Sequence, residues 1–333
     1  MNVLLIRMDR LGDLVCTLPV DQHPSFLKEH FSIQWLISSG LEPVLECAQP
    51  KRNFWSESTT FSWSKFWLLV SKLKSKQFDQ VILFYAPWWV AAACYFAGIQ
   101  NRYSPRSRWF QLLFFNQTLK QKRSRSEKHE SDYNWELVNW AITGNRNGIQ
   151  NTPLLNLQST SPMPPELTKP YFVIHPGMAG SALNWRMADY LKLAEKLIIQ
   201  LDHDVVITGT RSDLPILSEI EPALKSLKRL RWLVGDLDLA ALIKVLSESE
   251  AVIAPSTGVI HLAASTGVKT IGIYSPIKVQ TPTRWGPRGP KTIAIIPQVS
   301  CPAKMKCLGK TCSYYYCLNK ITVDQIIEHI KLK

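Results

Sequence analysis

Asp13 is the side chain in this sequence best placed for acid–base chemistry. It follows Gly12, a few residues after the apolar run 3–7. A carboxylate that leaves a buried strand and points into a cleft between domains is suited to act as a general base. Asp is also a common N-cap, so Asp13 equally suits the start of a helix from about Leu14. The residues alone leave both roles open.

The segment APSTGVIHLAASTG, residues 254–267, has the composition of a phosphate-binding turn. A helix that starts there offers unpaired N–H groups and a partial positive charge to an anion. Gly258 permits close backbone approach, whereas Ser256 or Thr257 equally suits a simple N-cap. His261 falls on the first helical turn, where it either contacts a bound phosphate or packs as a core residue.

A second candidate anion loop is HPGMAGSALNW, residues 175–185. It leaves an apolar run and is rich in small residues, so its backbone amides can wrap a diphosphate. His175, Gly177 and Ser181 are its candidate donor-binding residues. The alternative is an ordinary loop in which glycine only supplies unusual dihedral angles.

Apolar runs of strand length alternate with helical patterns on both sides of a Pro- and Ser-rich stretch at 158–170. This alternation predicts two doubly wound parallel sheets, hence an α/β protein with two Rossmann-like halves. The predicted domains are 1–160 and 170–320, followed by a terminal helix at 321–333 that packs back on the first domain. The predicted elements are strands at 3–7, 32–38, 80–86, 171–177, 204–210, 250–258 and 269–276, and helices from about 14 and at 63–76, 188–201, 239–249, 259–266 and 324–333.

The composition favours a globular protein with an anionic partner. The chain has 333 residues, 46% of them hydrophobic, and a net charge of +13. The start lacks the pattern of a signal peptide, and the most apolar stretch, 84–98, is shorter than the roughly 20 residues of a membrane span. We therefore expect a cytoplasmic protein whose contact with a membrane is peripheral and electrostatic rather than inserted.

Seven cysteines divide into two groups. Three are scattered in apolar contexts, as reduced core thiols are, whereas Cys301, Cys307, Cys312 and Cys317 cluster. Four thiols suit tetrahedral zinc, but the spacing lacks the paired C-x2-C knuckles of such sites. A structural metal and free thiols both remain open.

The candidate segments occur together and in order, and jointly they resemble glycosyltransferase family 9, the ADP-heptose:lipopolysaccharide heptosyltransferases. The opening IRMDRLGDLVCTLPV (6–20) is similar to the family's first strand-loop-helix. Residues 175–185 resemble its second-domain phosphate loop, and 256–267 its most diagnostic motif. TRWGPRGP (283–290) resembles the loop after the next strand. The resemblance spans nearly the whole chain, more weakly between about 40 and 160.

This resemblance implies a GT-B fold, two Rossmann-like domains facing across a central cleft. It implies an inverting transferase that needs no metal or cofactor, with ADP-heptose or another nucleotide-sugar as donor and an anionic lipopolysaccharide core precursor as acceptor. Asp13 would be the base, and the amides of Thr257 and Gly258 would hold the diphosphate, with His261 assisting from the same helical turn. The basic candidates for the acceptor lie in the first domain: Arg10, Arg102, Arg106, Lys122, Arg123 and Lys128. Arginines bind phosphates and carboxylates bidentately, although a solvated basic face would have the same composition.

Two departures from the family pattern bear on the donor. Ser256 stands where the family often has Asp, and Leu183 stands where it often has Lys or Arg. A same-fold transferase with another nucleotide-sugar or an O-antigen acceptor therefore remains an alternative. A second alternative is a non-enzymatic binder of nucleic acid or membrane, supported by the charge, but no recognised nucleic-acid motif is present, and we expect no nucleic-acid partner.

Overall fold

The computed structural model describes residues 1–28, 31–145, 152–167, 170–178, 180 and 183–332. The chain forms two compact units. Unit 1 contains residues 1–123 and 130–155, and unit 2 contains residues 124–129 and 156–333.

Unit 1 is built on a parallel sheet that is six-stranded within the described residues. Its strands are β1 (Asn2–Arg7), β2 (Ser32–Ser38), β4 (Asn53–Glu57), β5 (Gln80–Tyr85), β6 (Asn101–Pro105) and β7 (Gln117–Leu119), with a two-residue strand β3 (Ala48–Gln49) outside this sheet. Its helices are α1 (Leu11–Val15), α2 (Pro24–Lys28), α3 (Glu42–Cys47), α4 (Trp63–Lys76), α5 (Trp88–Phe96), α6 (Trp109–Phe114) and α7 (Glu130–Thr143). The central strands are continuous apolar runs because helices cover both faces of a parallel sheet.

Unit 2 repeats this architecture. A two-residue strand β8 (Asn156–Leu157) precedes the sheet strands β9 (Tyr171–Ile174), β10 (Asp204–Gly209), β11 (Leu230–Val234), β12 (Ala251–Pro255), β13 (Lys269–Ile273) and β14 (Thr292–Ile295). The helices are α8 (Met187–Leu201), α9 (Leu214–Leu217), α10 (Glu221–Lys225), α11 (Leu239–Ser247), α12 (Gly258–Ser265), α13 (Pro282–Trp285) and α14 (Val323–Lys331). These strands are also all parallel.

Both sheets have the strand order of a Rossmann fold. The orders are β4-β2-β1-β5-β6-β7 and β11-β10-β9-β12-β13-β14. When only the strands of each sheet are counted, both read 3-2-1-4-5-6. Ligands of such sheets bind beyond the carboxyl ends of the two strands where the order reverses, here β1 with β5 and β9 with β12. The loops after β1, β9 and β12 contain the residues singled out above.

The terminal helix α14 packs in unit 2, not in the first domain as predicted. Its apolar face contributes Val323, Ile326 and Ile327 to the core that also contains Tyr190 and Leu193 of α8. Its N-terminus has a capping box, in which Thr322 accepts from the Gln325 amide at 3.2 Å. Its buried face makes the helix part of the second core.

Candidate active site

A buried guanidinium holds two carboxylates at the carboxyl end of β1. Arg7 donates from Nε and Nη2 to the two carboxylate oxygens of Asp9, at 2.7 and 2.9 Å. Its Nη2 also donates to Oδ1 of Asp13 at 2.5 Å. The register of β1 against β5 shifts between Ile6 and Arg7, so the last residue of β1 leaves the regular ladder. Asp13 is therefore fixed by a charge-assisted hydrogen bond, which orients its carboxylate.

A third carboxylate approaches the same guanidinium from α7. Glu130 is buried, its carboxylate lies 3.9 Å from Nη1 of Arg7, and it pairs closely with Arg123. We call Arg7, Asp9, Asp13, Arg123 and Glu130 the charged cluster. With every group ionised the cluster has a formal charge of −1, so uptake of one proton neutralises it.

That proton is best accommodated on Asp9. Burial raises the pKa of Asp9 to about 7, with Arg7 opposing the rise and the charge of Asp13 adding to it. Burial lowers the pKa of Arg7, but the charges of Asp9, Asp13 and Glu130 outweigh burial and raise it overall. The guanidinium thus stays charged while the carboxyl of Asp9 titrates near neutrality.

The Asp9→Asn variant tests this assignment through the pH dependence of stability. Because the folded-state pKa of Asp9 lies above the roughly 3.9 of an unfolded Asp, the folded state binds this proton more tightly. The resulting stabilisation is complete below about pH 4 and is lost as pH rises through about 7. The free energy of unfolding of Asp9→Asn relative to wild type should therefore increase from pH 4.5 to 8 in urea titrations. Asp236→Asn, which removes an exposed carboxylate, is the control, and a pH-independent difference for Asp9→Asn would contradict the assignment.

The helix after β1 begins earlier than predicted, and this rules out the capping role for Asp13. Helix α1 starts at Leu11, its N-cap is Arg10, and that cap has no side-chain hydrogen bond. Asp13 lies inside the first turn, where a carboxylate is favoured by the helix dipole. The prediction of a start near Leu14 was wrong because it assumed that a side chain must cap the helix.

The basic residues predicted to bind the acceptor divide between buried and exposed positions. Arg102 donates from Nε to the Phe114 carbonyl at 2.7 Å, pairs with the Ile99 carbonyl and lies over the Tyr95 ring. Its guanidinium thus joins backbone segments of unit 1. Arg123 belongs to the charged cluster. The side chains of Arg10, Arg106 and Lys122 are exposed in unit 1, and Lys128 is half-buried in unit 2.

In unit 2, the loop after β9 starts with a buried, neutral histidine. His175 hydrogen-bonds through Nδ1 to the Thr208 hydroxyl of β10 at 3.0 Å. Burial lowers the pKa of His175 to about 4, and the charge of Asp213 only partly offsets this effect. The ring is therefore uncharged at neutral pH and offers hydrogen bonds rather than charge to an anion.

Position 177 requires glycine because the carboxylate of Asp213 lies where a side chain would begin. A Cβ on Gly177 would lie 2.5 Å from Oδ2 of Asp213. That carboxylate accepts from the backbone N–H and the hydroxyl of Thr210 at 2.8 and 2.7 Å, which fixes its position. A side chain at 177 would displace this contact and, with it, the loop predicted to wrap the diphosphate. Ser181 lies outside the described residues.

Helix α12 starts directly after β12. Strand β12 pairs with β9, the strand that precedes the loop from His175. Thr257 is its N-cap and accepts from the Val259 amide at 3.1 Å. Ser256 donates its backbone N–H to the Ile273 carbonyl at 3.1 Å, which ties the turn to β13. The Ile260 amide donates to the Thr257 carbonyl at 3.3 Å. The Gly258 amide lies at the N-terminus of α12, at the sheet edge where Rossmann folds bind ligands.

Two buried histidines lie near each other behind this turn. Burial and, to a smaller extent, the nearby His129 together lower the pKa of His261 to about 3. His129 hydrogen-bonds through Nε2 to the Gly286 carbonyl at 2.8 Å. His261 is therefore neutral and buried. Its ring can pack and form hydrogen bonds, but it cannot form an ion pair with a phosphate.

Removal of the cap tests its contribution to stability. Because Thr257→Ala leaves a first-turn amide without its side-chain acceptor, we expect a loss of about 1 kcal/mol in the free energy of unfolding. Thr257→Ser keeps the acceptor and should lose much less. Urea titrations of both variants give the comparison, and equal stabilities would show that the hydroxyl does not contribute as a cap.

The four clustered cysteines are free and lie in a segment of short 3-10 turns in unit 2. The Gly309 amide donates to Sγ of Cys307 at 3.3 Å, and the Tyr314 amide donates to Sγ of Cys312 at 3.4 Å. Cys301 and Cys317 are half-buried. Across the described residues, no three His, Cys, Asp or Glu side chains converge as metal ligands do.

Comparison with known proteins now adds to this geometry. The family model of glycosyltransferase family 9 (heptosyltransferase) matches residues 66–316, about three quarters of the chain. This chain belongs to glycosyltransferase family 9. It is therefore a glycosyltransferase, and the non-enzymatic alternative is wrong. In the part of the chain that the structure describes, no helix is both long enough and apolar enough to cross a bilayer.

One sequence relative and two solved structures match nearly the whole length of this family 9 chain. A putative glycosyltransferase of Haemophilus influenzae is 27% identical over 99% of this chain and 96% of its own length. The structure of E. coli ADP-heptose lipopolysaccharide heptosyltransferase II superposes with a TM-score of 0.79 at 19% identity, over 99% of this chain and 97% of the other. E. coli heptosyltransferase WaaC with ADP gives a TM-score of 0.73 at 16% identity, with 99% of both chains covered. These likenesses confirm the predicted α/β class with the two Rossmann-like sheets of the GT-B fold.

Proposed function

We propose that this family 9 enzyme is an inverting heptosyltransferase that moves a heptose from ADP-heptose onto the lipopolysaccharide inner core, with a Kdo or heptose residue as acceptor. Unit 1 binds the acceptor and unit 2 the nucleotide-sugar. The observation that carries the proposal is the carboxylate of Asp13, held by Arg7 at the strand end where a Rossmann-like sheet binds ligands. Family membership and the activity of the E. coli ADP-heptose lipopolysaccharide heptosyltransferase II, which shares this fold, support the choice of donor and acceptor.

The reaction requires one proton transfer and one displacement. Asp13 takes the proton of the acceptor hydroxyl, and the hydroxyl oxygen attacks the anomeric carbon of the sugar. The bond from that carbon to the diphosphate oxygen breaks, its electron pair leaves with ADP, and the configuration at the anomeric carbon inverts. Arg7 keeps the Asp13 carboxylate oriented during this step.

In unit 2, the leaving group gains charge as the bond breaks. We propose that the amides at Thr257 and Gly258 and the loop from His175 to Gly177 stabilise that charge through fixed hydrogen-bond donors. Because burial lowers the pKa values of His175 and His261 to about 4 and about 3, neither ring supplies a positive charge at neutral pH. The stabilisation then depends on amides and helix α12 rather than on an ion pair.

A second candidate keeps the fold and changes the donor. Leu183, which replaces a frequent family Lys or Arg, packs against the core of unit 2. An apolar residue in that position cannot contribute a charge to a heptose or phosphate, and Ser256 likewise lacks the carboxylate of the family motif. This observation favours a transferase that uses another nucleotide-sugar, or a different surface-glycan acceptor.

Radiolabelled transfer assays distinguish the two candidates. Purified protein is incubated with deacylated Kdo-lipid A as the acceptor. ADP-heptose, UDP-sugars and GDP-sugars are supplied as donors in separate reactions. Turnover with ADP-heptose alone supports the heptosyltransferase proposal. Turnover with a UDP- or GDP-sugar and none with ADP-heptose would replace it with the second candidate.

A further inference from the structure

The outward face of three neighbouring helices in unit 1 is unusually apolar. Helices α4, α5 and α6 pack side by side over one face of the sheet, with residues such as Phe66 and Trp89 in the core beneath. On the opposite face, large apolar side chains are exposed. We call these nine residues the aromatic face: Trp63, Trp67, Leu68, Trp88, Tyr95, Phe96, Trp109, Leu112 and Leu113.

The aromatic face is continuous from helix to helix. The Trp67 ring of α4 lies 6.2 Å from the Phe96 ring of α5, measured between centroids. Tyr95 of α5 lies 6.0 Å from Phe114 of α6. Trp109 is 72% exposed and Leu68 is 68% exposed. Monomeric proteins rarely expose contiguous apolar patches of this kind unless something binds there.

The charge of this region is strongly one-sided. Residues 58–126 contain eleven Lys and Arg but a single acidic residue, Asp79. Helices α4, α5 and α6 contain no Asp or Glu. The side chains of Lys65, Lys74, Arg106 and Arg108 are exposed on or beside these helices. Lys72 of α4 pairs with Glu57 at 3.1 Å, whereas Lys65 and Lys74 have no acidic residue on their own helix. The surface therefore joins exposed rings to an excess of positive charge.

We propose that the aromatic face docks this enzyme onto an anionic lipid bilayer. Trp and Tyr rings are favoured at the level of the headgroups, because one end is apolar and the other hydrogen-bonds. Leu and Phe side chains reach into the headgroup–acyl boundary, as the apolar faces of interfacial helices do, while Lys and Arg pair with lipid phosphates. Contact of this kind combines electrostatic attraction with shallow insertion of side chains, and needs no spanning helix.

The same charge pattern disfavours a second copy of this chain as the occupant. A symmetric dimer through the aromatic face would place each positive surface against an identical one. Protein interfaces are also depleted in Lys. An anionic bilayer instead complements both the rings and the cations. The benefit of docking rests on the proposed function, since it would bring unit 1 to a lipid-linked acceptor, but the binding itself does not depend on catalysis.

Vesicle flotation tests the proposal on the full-length protein. Three exposed residues of the aromatic face are replaced together, as Leu68→Gln, Trp109→Gln and Leu113→Gln. Ile199→Gln in α8 is the matched control, because Ile199 is 80% exposed and lies in unit 2. Vesicles contain phosphatidylcholine alone or with phosphatidylglycerol. We expect wild type and Ile199→Gln to float with the anionic vesicles, and the triple variant to lose at least about tenfold in its partition coefficient.

Three outcomes would overturn the proposal. They are a wild type that does not float with anionic vesicles, a triple variant that floats as well as wild type, and a triple variant that changes only the oligomeric state in size-exclusion chromatography. Circular dichroism of the triple variant verifies its fold. Sugar transfer to a water-soluble deacylated acceptor is measured in parallel. Absence of transfer by wild type would count against the proposed function. The flotation result would still show whether the aromatic face binds anionic vesicles.

Discussion

Asp13→Asn is expected to lower kcat for sugar transfer at least about a hundredfold, the usual contribution of a positioned general base. The Asn side chain has nearly the same shape and keeps an oxygen that can accept from Nη2 of Arg7, which now bonds to Asp13 at 2.5 Å. It cannot take the proton of the acceptor hydroxyl. The KM for the nucleotide-sugar should change little, because that substrate binds to unit 2 in the proposed mechanism.

Steady-state kinetics with the donor identified in the transfer assays measure this effect. Asp236→Asn, at an exposed position, controls for the loss of one carboxylate. The thermal unfolding of Asp13→Asn should remain a single transition close to that of wild type. Retention of more than about a tenth of wild-type kcat would remove Asp13 from the role of base, although the family assignment would stand.

Arg7→Met should cause the largest loss of stability of any single substitution proposed for this enzyme, about 3–5 kcal/mol. The guanidinium is buried and is the shared partner of Asp9 and Asp13, with Glu130 close by. Its removal leaves carboxylates in a site that water hardly reaches, and they must either stay charged without a partner or take up protons. Transfer activity should fall as well, because Asp13 loses the contact that orients it.

Chemical denaturation of two further variants checks the cause of this loss. Lys225→Met breaks an exposed pair with Glu221, at 2.6 Å, and should cost less than about 1 kcal/mol. Asp9→Asn in the Arg7→Met background removes a carboxylate whose ion-pair partner was Arg7, and it should recover part of the stability. If Arg7→Met were no more damaging than Lys225→Met, the charged cluster would not stabilise the fold.

The central strands and long helices of both units were predictable because their patterns are strong. The predicted strand at 32–38 and helix at 63–76 have the observed bounds, and the second-half helices differ by at most two residues. Continuous apolar runs identify buried parallel strands, and a 3.6-residue period identifies helices. The edge strand β4 was not revealed, because its partial exposure mixes polar residues into the run NFWSE.

The charged cluster was only partly predictable. Asp13 stands out because it follows a glycine after an apolar run, but the sequence does not identify Arg7, the last residue of that run, as its partner. Glu130, a further partner of Arg7, lies more than a hundred positions away in the chain, and sequence spacing does not reveal such a contact. The same limit applies to Asp213, whose contact with Gly177 depends on the fold of neighbouring strands. One signal was available for the cluster: Arg7 and Asp9 are unusual charges to find directly at the end of a buried run.

Arg102 was predicted from its charge to bind the acceptor, and that role stays a prediction. Its guanidinium donates hydrogen bonds to the carbonyl groups of Phe114 and Ile99 in its own unit. Trp89 is buried, as a core role requires, whereas Trp88 is exposed on the aromatic face. Two adjacent tryptophans of one helix therefore differ in burial. The orientation of α5 on the sheet, not the residue type, determines which of them is buried.

The path of the chain has a consequence for engineering this enzyme and for its synthesis. Residues 124–129 belong to unit 2, yet residues 130–155 return to unit 1 and supply Glu130. A chimera that exchanges donor specificity with a relative would therefore need three junctions, near residues 123, 130 and 155, rather than one cut at the Pro- and Ser-rich stretch. On the ribosome, the six-stranded sheet of unit 1 is complete by β7, but its charged cluster must wait for α7. His129 is synthesised just before α7, but its hydrogen-bond partner, the Gly286 carbonyl, is made only after more than two thirds of unit 2 has been translated.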